Sequence, residues 1–185
     1  MQASNDPAPR AIPATILIHQ EGVVAIIALV GLSFRSGGVS GGLAPNGSVI
    51  LGVVGGLSVG AICAAAFWGL RHLPALSDLE EWQRHMVRGW SIKDVAAVAV
   101  FSGLAEEALI RALLQPLIGL LPAALLFAAL HLVPDRRLWL WPVLAFVLGV
   151  VLGVIFEAGG YPAAAAAHIA INAFALVRLQ RVAED

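Results

Sequence analysis

Long apolar runs separated by short polar stretches dominate the chain, and each long run predicts a membrane-spanning helix. A helix needs about 20 mostly apolar residues to cross a bilayer. We predict six such helices: Ile12–Phe34, Ser48–Leu70, Ile92–Leu114, Leu120–Val133, Leu138–Phe156 and Pro162–Leu179. The glycine-rich segment Arg35–Gly47 is predicted to be a loop. Residues Ser77–Trp90 predict an amphipathic helix at the membrane surface, with Ser77 or Asp78 as its N-cap.

The composition excludes an ordinary soluble domain. Apolar residues make up 59% of the chain and charged residues 12%, against about 45–50% and about 25% in soluble proteins. The expected fold is therefore an all-α polytopic membrane helix bundle of about six helices, with the lipid bilayer as a partner. A net charge of −1 gives no reason to expect a nucleic-acid partner. The single cysteine, Cys63, excludes a disulfide framework and a cysteine-based zinc cluster.

The basic residues predict how the helices are oriented. Six crossings place nine of the eleven basic residues on one side of the membrane: Arg10, Arg71, Arg84, Arg88, Lys93, Arg136, Arg137, Arg178 and Arg181. Only Arg35 falls on the other side, and Arg111 lies within a crossing. Because cytoplasmic loops carry an excess of Lys and Arg, both termini are predicted to be cytoplasmic. The alanine-, glycine- and arginine-rich composition is typical of a GC-rich bacterium, which points to the bacterial inner membrane.

The third crossing carries charges where lipid is expected, in the sequence Glu106-Glu107-x-x-x-Arg111. A charged group at the bilayer centre costs about 2.5–3.5 kcal/mol on insertion scales, so it needs a partner or a function. Glu107 and Arg111 are four residues apart and share a helix face, so they can pair. A purely structural ion pair would leave the second carboxylate without a purpose.

Two more motifs have the spacing of one helical turn. His131 follows Phe127 by four residues, and Asn172 follows His168 by four residues. A lone membrane histidine is more often a packing residue than a ligand. Here two histidines, an amide and two carboxylates occupy three crossings, and a shared polar cavity would keep them all hydrated and paired. Phe127 is predicted to be an apolar wall beside His131, and simple core packing explains it equally well.

Glutamate and histidine together are suited to activating water. A carboxylate shielded from solvent can accept a proton from water near neutral pH, and a neighbouring histidine can share it. A second histidine and an asparagine can donate hydrogen bonds to a developing oxyanion. These groups would serve a peptidase without a nucleophilic side chain. Two histidines and a glutamate can also bind zinc, although the usual H-E-x-x-H signature is absent.

In order and spacing, the three motifs resemble those of the CAAX-protease and bacteriocin-processing (CPBP, or Abi) intramembrane proteases, which include the eukaryotic prenyl-protein protease. The resemblance runs from about Ile92 to Leu179. It implies that residues 92–180 form a catalytic core of four helices. Residues 1–91 would add two membrane helices and the interfacial helix, within one integrated membrane domain.

The resemblance also implies roles for the polar residues. Glu106 would activate water with His131 as its partner, while His168 and Asn172 would stabilise the oxyanion. If zinc held the water instead, its ligands would be Glu106, His131 and His168. We favour the metal-free glutamic mechanism and keep the zinc enzyme as the alternative.

Glu107 and Arg111, in the same resemblance, would form a supporting ion pair, and Phe127 would be a further supporting residue. The expected substrate is a membrane-anchored protein or peptide, and the expected activity is intramembrane endopeptidase. A non-enzymatic immunity or scaffold protein of the same fold is the main alternative. A proton relay or small transporter is less favoured, because the sequence shows no inverted repeat.

Two further points stay open at this level. The polar residues His19, Gln20 and Glu21 either line an entrance or mark a later start of the first crossing. At 1.5 Å per residue, Glu106 lies about 12 Å and His168 about 9 Å from the face that carries Arg35, which favours access from that side.

Overall fold

In the computed structural model, residues 11–135 and 138–184 are described, apart from the side chains of residues 75 and 182–184. Within those ranges the chain is helical and has no β-strand, which confirms the predicted all-α class. The helices are α1 (Ala14–Ser33), α2 (Gly38–Gly42), α3 (Val49–Leu70), α4 (Pro74–Met86), α5 (Ile92–Glu107), α6 (Gln115–Ile118), α7 (Leu120–Leu130) and α8 (Leu140–Glu184). A π-helix, Ala108–Leu114, joins α5 to α6. Arg10, Arg136 and Arg137, which entered the orientation count, lie outside the described residues.

Three helices are long and apolar enough to cross a membrane: α1, α3 and the 42-residue stretch Leu140–Arg181 of α8. The backbone of α8 leaves helical geometry at Gly160 (φ 74°, ψ −172°), a conformation that glycine adopts without strain. Gly160 therefore divides α8 into a first arm, residues 140–159, and a second arm, residues 161–184. The chain is an integral membrane protein, and the full count of six crossings stays a prediction.

Several predicted boundaries needed correction. The helix predicted to lie at the membrane surface corresponds to α4, which begins at Pro74 and has Leu73 as its N-cap, so neither Ser77 nor Asp78 is the N-cap. Proline suits that position because the first helical N–H groups have no intrahelical acceptor. The predicted loop after α1 contains the short helix α2. The helix α7 ends at Leu130, three residues before the predicted end, and His131 follows it directly.

The two ends of the bundle are tied by hydrogen bonds between distant segments. At one end, Ile12 N donates to Met86 O (3.0 Å), Trp90 Nε1 donates to Ile12 O (2.7 Å), and Gln180 Nε2 donates to Trp90 O (3.0 Å). The start of α1, the segment after α4 and the end of α8 therefore lie together, and we call this the α4 end.

The opposite end, which we call the Arg35 end, joins the segment before α3 to the kink in α8. Asn46 N donates to Gly159 O (3.2 Å), and Tyr161 N donates to Ala44 O (3.3 Å). Arg35 itself follows α1 at this end. Because α1 and α3 each run between the two ends, the bundle has the alternation expected of a chain that crosses a membrane repeatedly.

Glycines bring α3 very close to the second arm of α8, the arm that carries His168. A Cβ atom on Gly56 would collide with the carbonyl oxygen of Ala163, and one on Gly60 would lie 2.6 Å from that of Ala167. Small residues four apart on facing helices are the usual means of close packing in membranes, where van der Waals contact replaces the hydrophobic effect. This contact fixes the position of the second arm.

Replacing Gly56 by alanine should therefore lower the unfolding free energy of the detergent-solubilised protein by about 1–3 kcal/mol. A lower melting temperature would report this loss. Its neighbour Gly55 provides a matched control, since a Cβ there meets no atom within 4 Å. Alanine at position 55 should raise stability by about 0.5–1 kcal/mol, the helix-propensity gain over glycine. Equal effects of the two substitutions would contradict the close packing of α3 on α8.

Candidate active site

The paired glutamates lie at the junction of α5 with the π-helix, and Arg111 lies within the π-helix. π-Helical turns are rare and occur frequently at functional sites. Here the end of the π-helix is held by Arg35, whose Nη1 donates to Ala112 O (3.0 Å) and Leu113 O (3.1 Å). Arg35 thus holds the segment that carries Arg111.

Glu107 is the centre of a buried charged cluster. Its side chain and that of Arg111 are both 0% exposed, with 3.4 Å between Glu107 Oε2 and Arg111 Nε. The other oxygen, Oε1, lies 2.8 Å from His168 Nδ1. The spacing predicts the contact with Arg111, but no pattern in the sequence indicates that Glu107, rather than Glu106, bonds a histidine.

Phe127 packs between the charged cluster and both histidines. Its ring centroid lies 5.0 Å from the guanidinium carbon of Arg111, 4.6 Å from the His131 ring and 5.8 Å from the His168 ring. The Phe127 side chain is itself buried. It therefore acts as an apolar wall that shields Arg111 from solvent. The guanidinium also lies over the face of the Phe127 ring, which attracts a cation electrostatically.

A cavity of about 200 Å³ lies beside this wall. Its lining includes His131, His168 and Asn172, three of the four residues predicted to be catalytic, together with Glu80 and Gln83 of α4. The cavity therefore extends toward the α4 end of the bundle. The positions of Glu106 and His168 within their predicted crossings favoured access from the Arg35 end. The cavity instead extends toward the α4 end, where α4 packs against α8 and Glu80 pairs with Arg178.

The hydrogen bonds of His131 fix which ring nitrogen can act. Its Nδ1 lies 2.8 Å from the carbonyl oxygen of Phe127, and a carbonyl can only accept, so Nδ1 carries the proton. In the neutral ring Nε2 is then the basic nitrogen. His168 is oriented in the same manner by Glu107, because an ionised carboxylate likewise accepts from Nδ1.

Asn172 is held by a residue that the motifs did not include. Its Nδ2 donates to Ser102 Oγ (2.9 Å), and Ser102 is buried on α5. Ser102 lies four residues before Glu106, on the same helix face, and that spacing is the one signal by which the sequence indicates it.

Glu106, the predicted base, lies at the edge of the charged cluster and is not among the residues that line the cavity. The side chain is partly exposed, while its Oε2 atom is buried and has no hydrogen-bond partner among the described residues. Its charge acts on Arg111, on His168 and on Glu21 of α1. Within the described part of the chain, no hydrogen bond joins it to its predicted partner His131.

Of the polar triplet in the first crossing, only Glu21 turns inward. His19 and Gln20 are exposed, whereas Glu21 is 6% exposed. Since α1 is helical from Ala14 onward, a later start of the crossing does not explain these residues. Glu21 is thus a third carboxylate beside the site, contributed by a helix outside the motif region.

The zinc alternative requires Glu106, His131 and His168 to surround one ion. The described side chains contain no group of three histidine, cysteine, aspartate or glutamate residues arranged to hold a metal. The arrangement therefore does not fit a zinc site, and we assign no step to zinc.

Comparison with protein families matches this region of the chain to a family model. Residues 88–174 match the family model described as Type II CAAX prenyl endopeptidase Rce1-like. All three motifs lie within the matched range. This match confirms the resemblance to the CAAX proteases. No curated protein and no solved structure matches the chain.

Proposed function

We propose that this chain, a CAAX-protease family member by its motifs and by the match over residues 88–174, is an intramembrane endopeptidase that cleaves a membrane-anchored protein or peptide. The observation that carries the proposal is the fully buried Glu107–Arg111 pair bonded to His168, beside a cavity that also holds His131 and Asn172. A structural ion pair would require neither the cavity nor the second histidine. Intramembrane ionisable residues mark function by default.

In the proposed mechanism Glu106 takes a proton from water as the water oxygen forms a bond to the scissile carbonyl carbon. His131 shares that proton through its unprotonated Nε2. The negative charge that develops on the carbonyl oxygen is stabilised by Asn172 and by His168 in its doubly protonated form, in which Nδ1–H donates to Glu107 and Nε2–H donates to the carbonyl oxygen. The C–N bond then breaks, and the leaving amine receives the proton taken from water.

The proposed topology has six crossings with both termini in the cytoplasm. The grouping of Ile12, Trp90 and Gln180 at the α4 end supports it, because six crossings would place these three residues on the same side of the membrane. The α4 end also carries Arg71 and Arg178, in keeping with a cytoplasmic face. The cavity would then be reached from the cytoplasmic half of the bilayer.

Reconstitution of the purified protein in lipid with a library of single-span peptides tests the activity. Wild-type protein should release peptide fragments identifiable by mass spectrometry, all cut near one membrane depth. His131→Ala should lower the yield by about 10²–10⁴-fold, the range for losing a proton-transfer group. Equal yields from wild type and His131→Ala would exclude this site as the source of cleavage.

Removal of metal by chelation distinguishes the metal-free glutamic mechanism from the zinc-dependent alternative. We expect cleavage to persist after dialysis against a strong chelator, because the proposed base is a carboxylate that needs no metal. The metal content of the same sample, measured by mass spectrometry, is the control. Loss of cleavage on chelation, restored by about one zinc ion per chain, would establish the zinc alternative instead.

A further inference from the structure

A long apolar groove lies between α3 and the second arm of α8, toward the α4 end of the bundle. Its volume is about 1140 Å³, above the roughly 300–1,000 Å³ usual for small-molecule sites. Both helices belong to segments long and apolar enough to cross a membrane, so the groove faces lipid. Its walls are formed by small and apolar residues: Ala61, Ala64, Ala65, Trp68, Ala170, Ala173, Phe174 and Val177.

The length of the groove corresponds to one leaflet of a bilayer. Along α3 it extends from Ala61 to Arg71, ten residues apart, which is about 15 Å at a rise of 1.5 Å per residue. Along α8 it extends from Ala170 to Arg181, which is about 17 Å by the same rise. The hydrocarbon core of a membrane is about 30 Å thick, so one leaflet contributes about 15 Å. The acyl chain of a single lipid molecule therefore fits along the groove, with its headgroup at the arginine end.

Positive charge is concentrated at that end of the groove. Arg71, Arg178 and Arg181 line it, and Glu80 is the one acidic residue in the described lining. Glu80 is already shared, because its Oε2 accepts from Arg178 (2.5 Å) and its Oε1 lies 3.5 Å from Arg84. Among the described residues, no carboxylate pairs with Arg71 or Arg181. An excess of arginines between membrane helices at headgroup depth favours an anionic lipid headgroup.

Trp68 fixes the position of two of these arginines. The guanidinium carbons of Arg71 and Arg178 lie 4.3 and 4.8 Å from the centroid of its ring, and Arg71 Nη1 donates to Trp68 O (2.7 Å). An edge contact with Phe174, at 6.4 Å between centroids, holds the indole against α8. Tryptophan is enriched at the membrane–water interface, which is the depth of lipid phosphates. Guanidinium groups held there match the geometry of phosphate oxygens.

We propose that this groove binds one anionic phospholipid of the membrane, with an acyl chain along its alanines and the phosphate at Arg71, Arg178 and Arg181. A zwitterionic lipid binds less tightly, because its headgroup brings a cation of its own to the same arginines. The groove and the candidate active-site cavity share Ala64 and Phe174 in their linings. The bound lipid therefore lies along one wall of that cavity.

Native mass spectrometry of the full chain in detergent, titrated with phosphatidylglycerol or with phosphatidylcholine of the same acyl chains, tests the charge. We expect one phosphatidylglycerol per chain, bound about tenfold or more tightly than phosphatidylcholine. Arg71→Gln combined with Arg181→Gln should weaken its binding about 25-fold, since each arginine near a lipid surface contributes about fivefold. The control is Arg88→Gln with Lys93→Gln, two exposed positions outside the groove lining, which should change nothing. Equal binding of the two lipids would overturn the proposal.

Filling the groove tests the acyl-chain site while every arginine stays in place. Ala65 and Ala66 are adjacent and both exposed on α3, but Ala65 lines the groove and Ala66 is not among its described lining residues. Ala65→Trp should weaken phosphatidylglycerol binding by about tenfold or more, because the indole occupies the space of the chain. Ala66→Trp should bind as wild type does. Equal binding by the two variants would overturn the proposal, as would equal thermal stabilisation by inorganic phosphate, which carries no acyl chain.

Lipid binding is measured without a peptide substrate, so its result is independent of the proposed peptidase activity. A single-span peptide is the other occupant that the groove could take. Peptide binding that is lost in Ala65→Trp, with phosphatidylglycerol binding unchanged in that variant, would assign the groove to the anchor of a substrate and overturn the lipid site.

Discussion

Replacing Glu106 by glutamine should reduce peptide-bond cleavage by about 10³-fold or more while the fold stays intact. Loss of a general base costs about 10²–10⁴-fold, and a glutamine side chain cannot accept a proton. The structural cost should be small, because the buried Oε2 atom of Glu106 has no hydrogen-bond partner among the described residues. Cleavage of an anchored peptide and the melting temperature are measured on the same preparation.

The adjacent glutamate provides the comparison. Glu107→Gln should also inactivate the protein, but it should lower the melting temperature, because Glu107 pairs with Arg111 and bonds His168. The two substitutions are chemically identical and one residue apart, so a difference in stability reports the environment alone. Full activity of Glu106→Gln, with loss in Glu107→Gln, would transfer the role of base to Glu107.

Much of the helical framework could be predicted because membrane helices depend on local properties of the sequence. Apolar length predicts α1 and α3 to within two residues of their observed bounds. The Glu107–Arg111 contact follows from i,i+4 spacing within one helix. Pro74 was a visible signal for the start of α4, and an argument based on proline at the first helical position would have found it.

The contacts between helices could not be predicted in the same manner. Which glutamate bonds His168 depends on the rotation of α5 against α8, which the tight approach of Gly103 to Ile169 determines. The π-helix depends on carbonyl acceptors that Arg35 satisfies from another segment. The sequence did not indicate which of His19, Gln20 and Glu21 faces the protein interior, because three consecutive polar residues show no helical periodicity. The packing of α1 determines that Glu21 is the buried one.

Replacing Arg111 by methionine should produce the largest loss of stability in the protein. The guanidinium is 0% exposed, and its removal leaves the equally buried Glu107 carboxylate without its cation. Breaking a buried ion pair from one side costs about 3–5 kcal/mol, since an uncompensated charge remains. A partly exposed pair on the same protein gives the control: Arg178→Met removes the partner of Glu80 and should cost no more than about 1 kcal/mol.

A double variant distinguishes the charge effect from a packing defect. Glu107→Leu combined with Arg111→Met replaces both charges with apolar groups, and such replacements are often neutral or stabilising. We expect the double variant to recover most of the melting temperature lost by Arg111→Met, yet to remain inactive, because His168 then lacks the carboxylate that orients its ring. If the double variant were as unstable as Arg111→Met, the loss would come from the cavity left by the guanidinium. Recovery of stability without activity would instead mean that the buried pair is retained for chemistry, at a position where an apolar pair would serve the fold equally well.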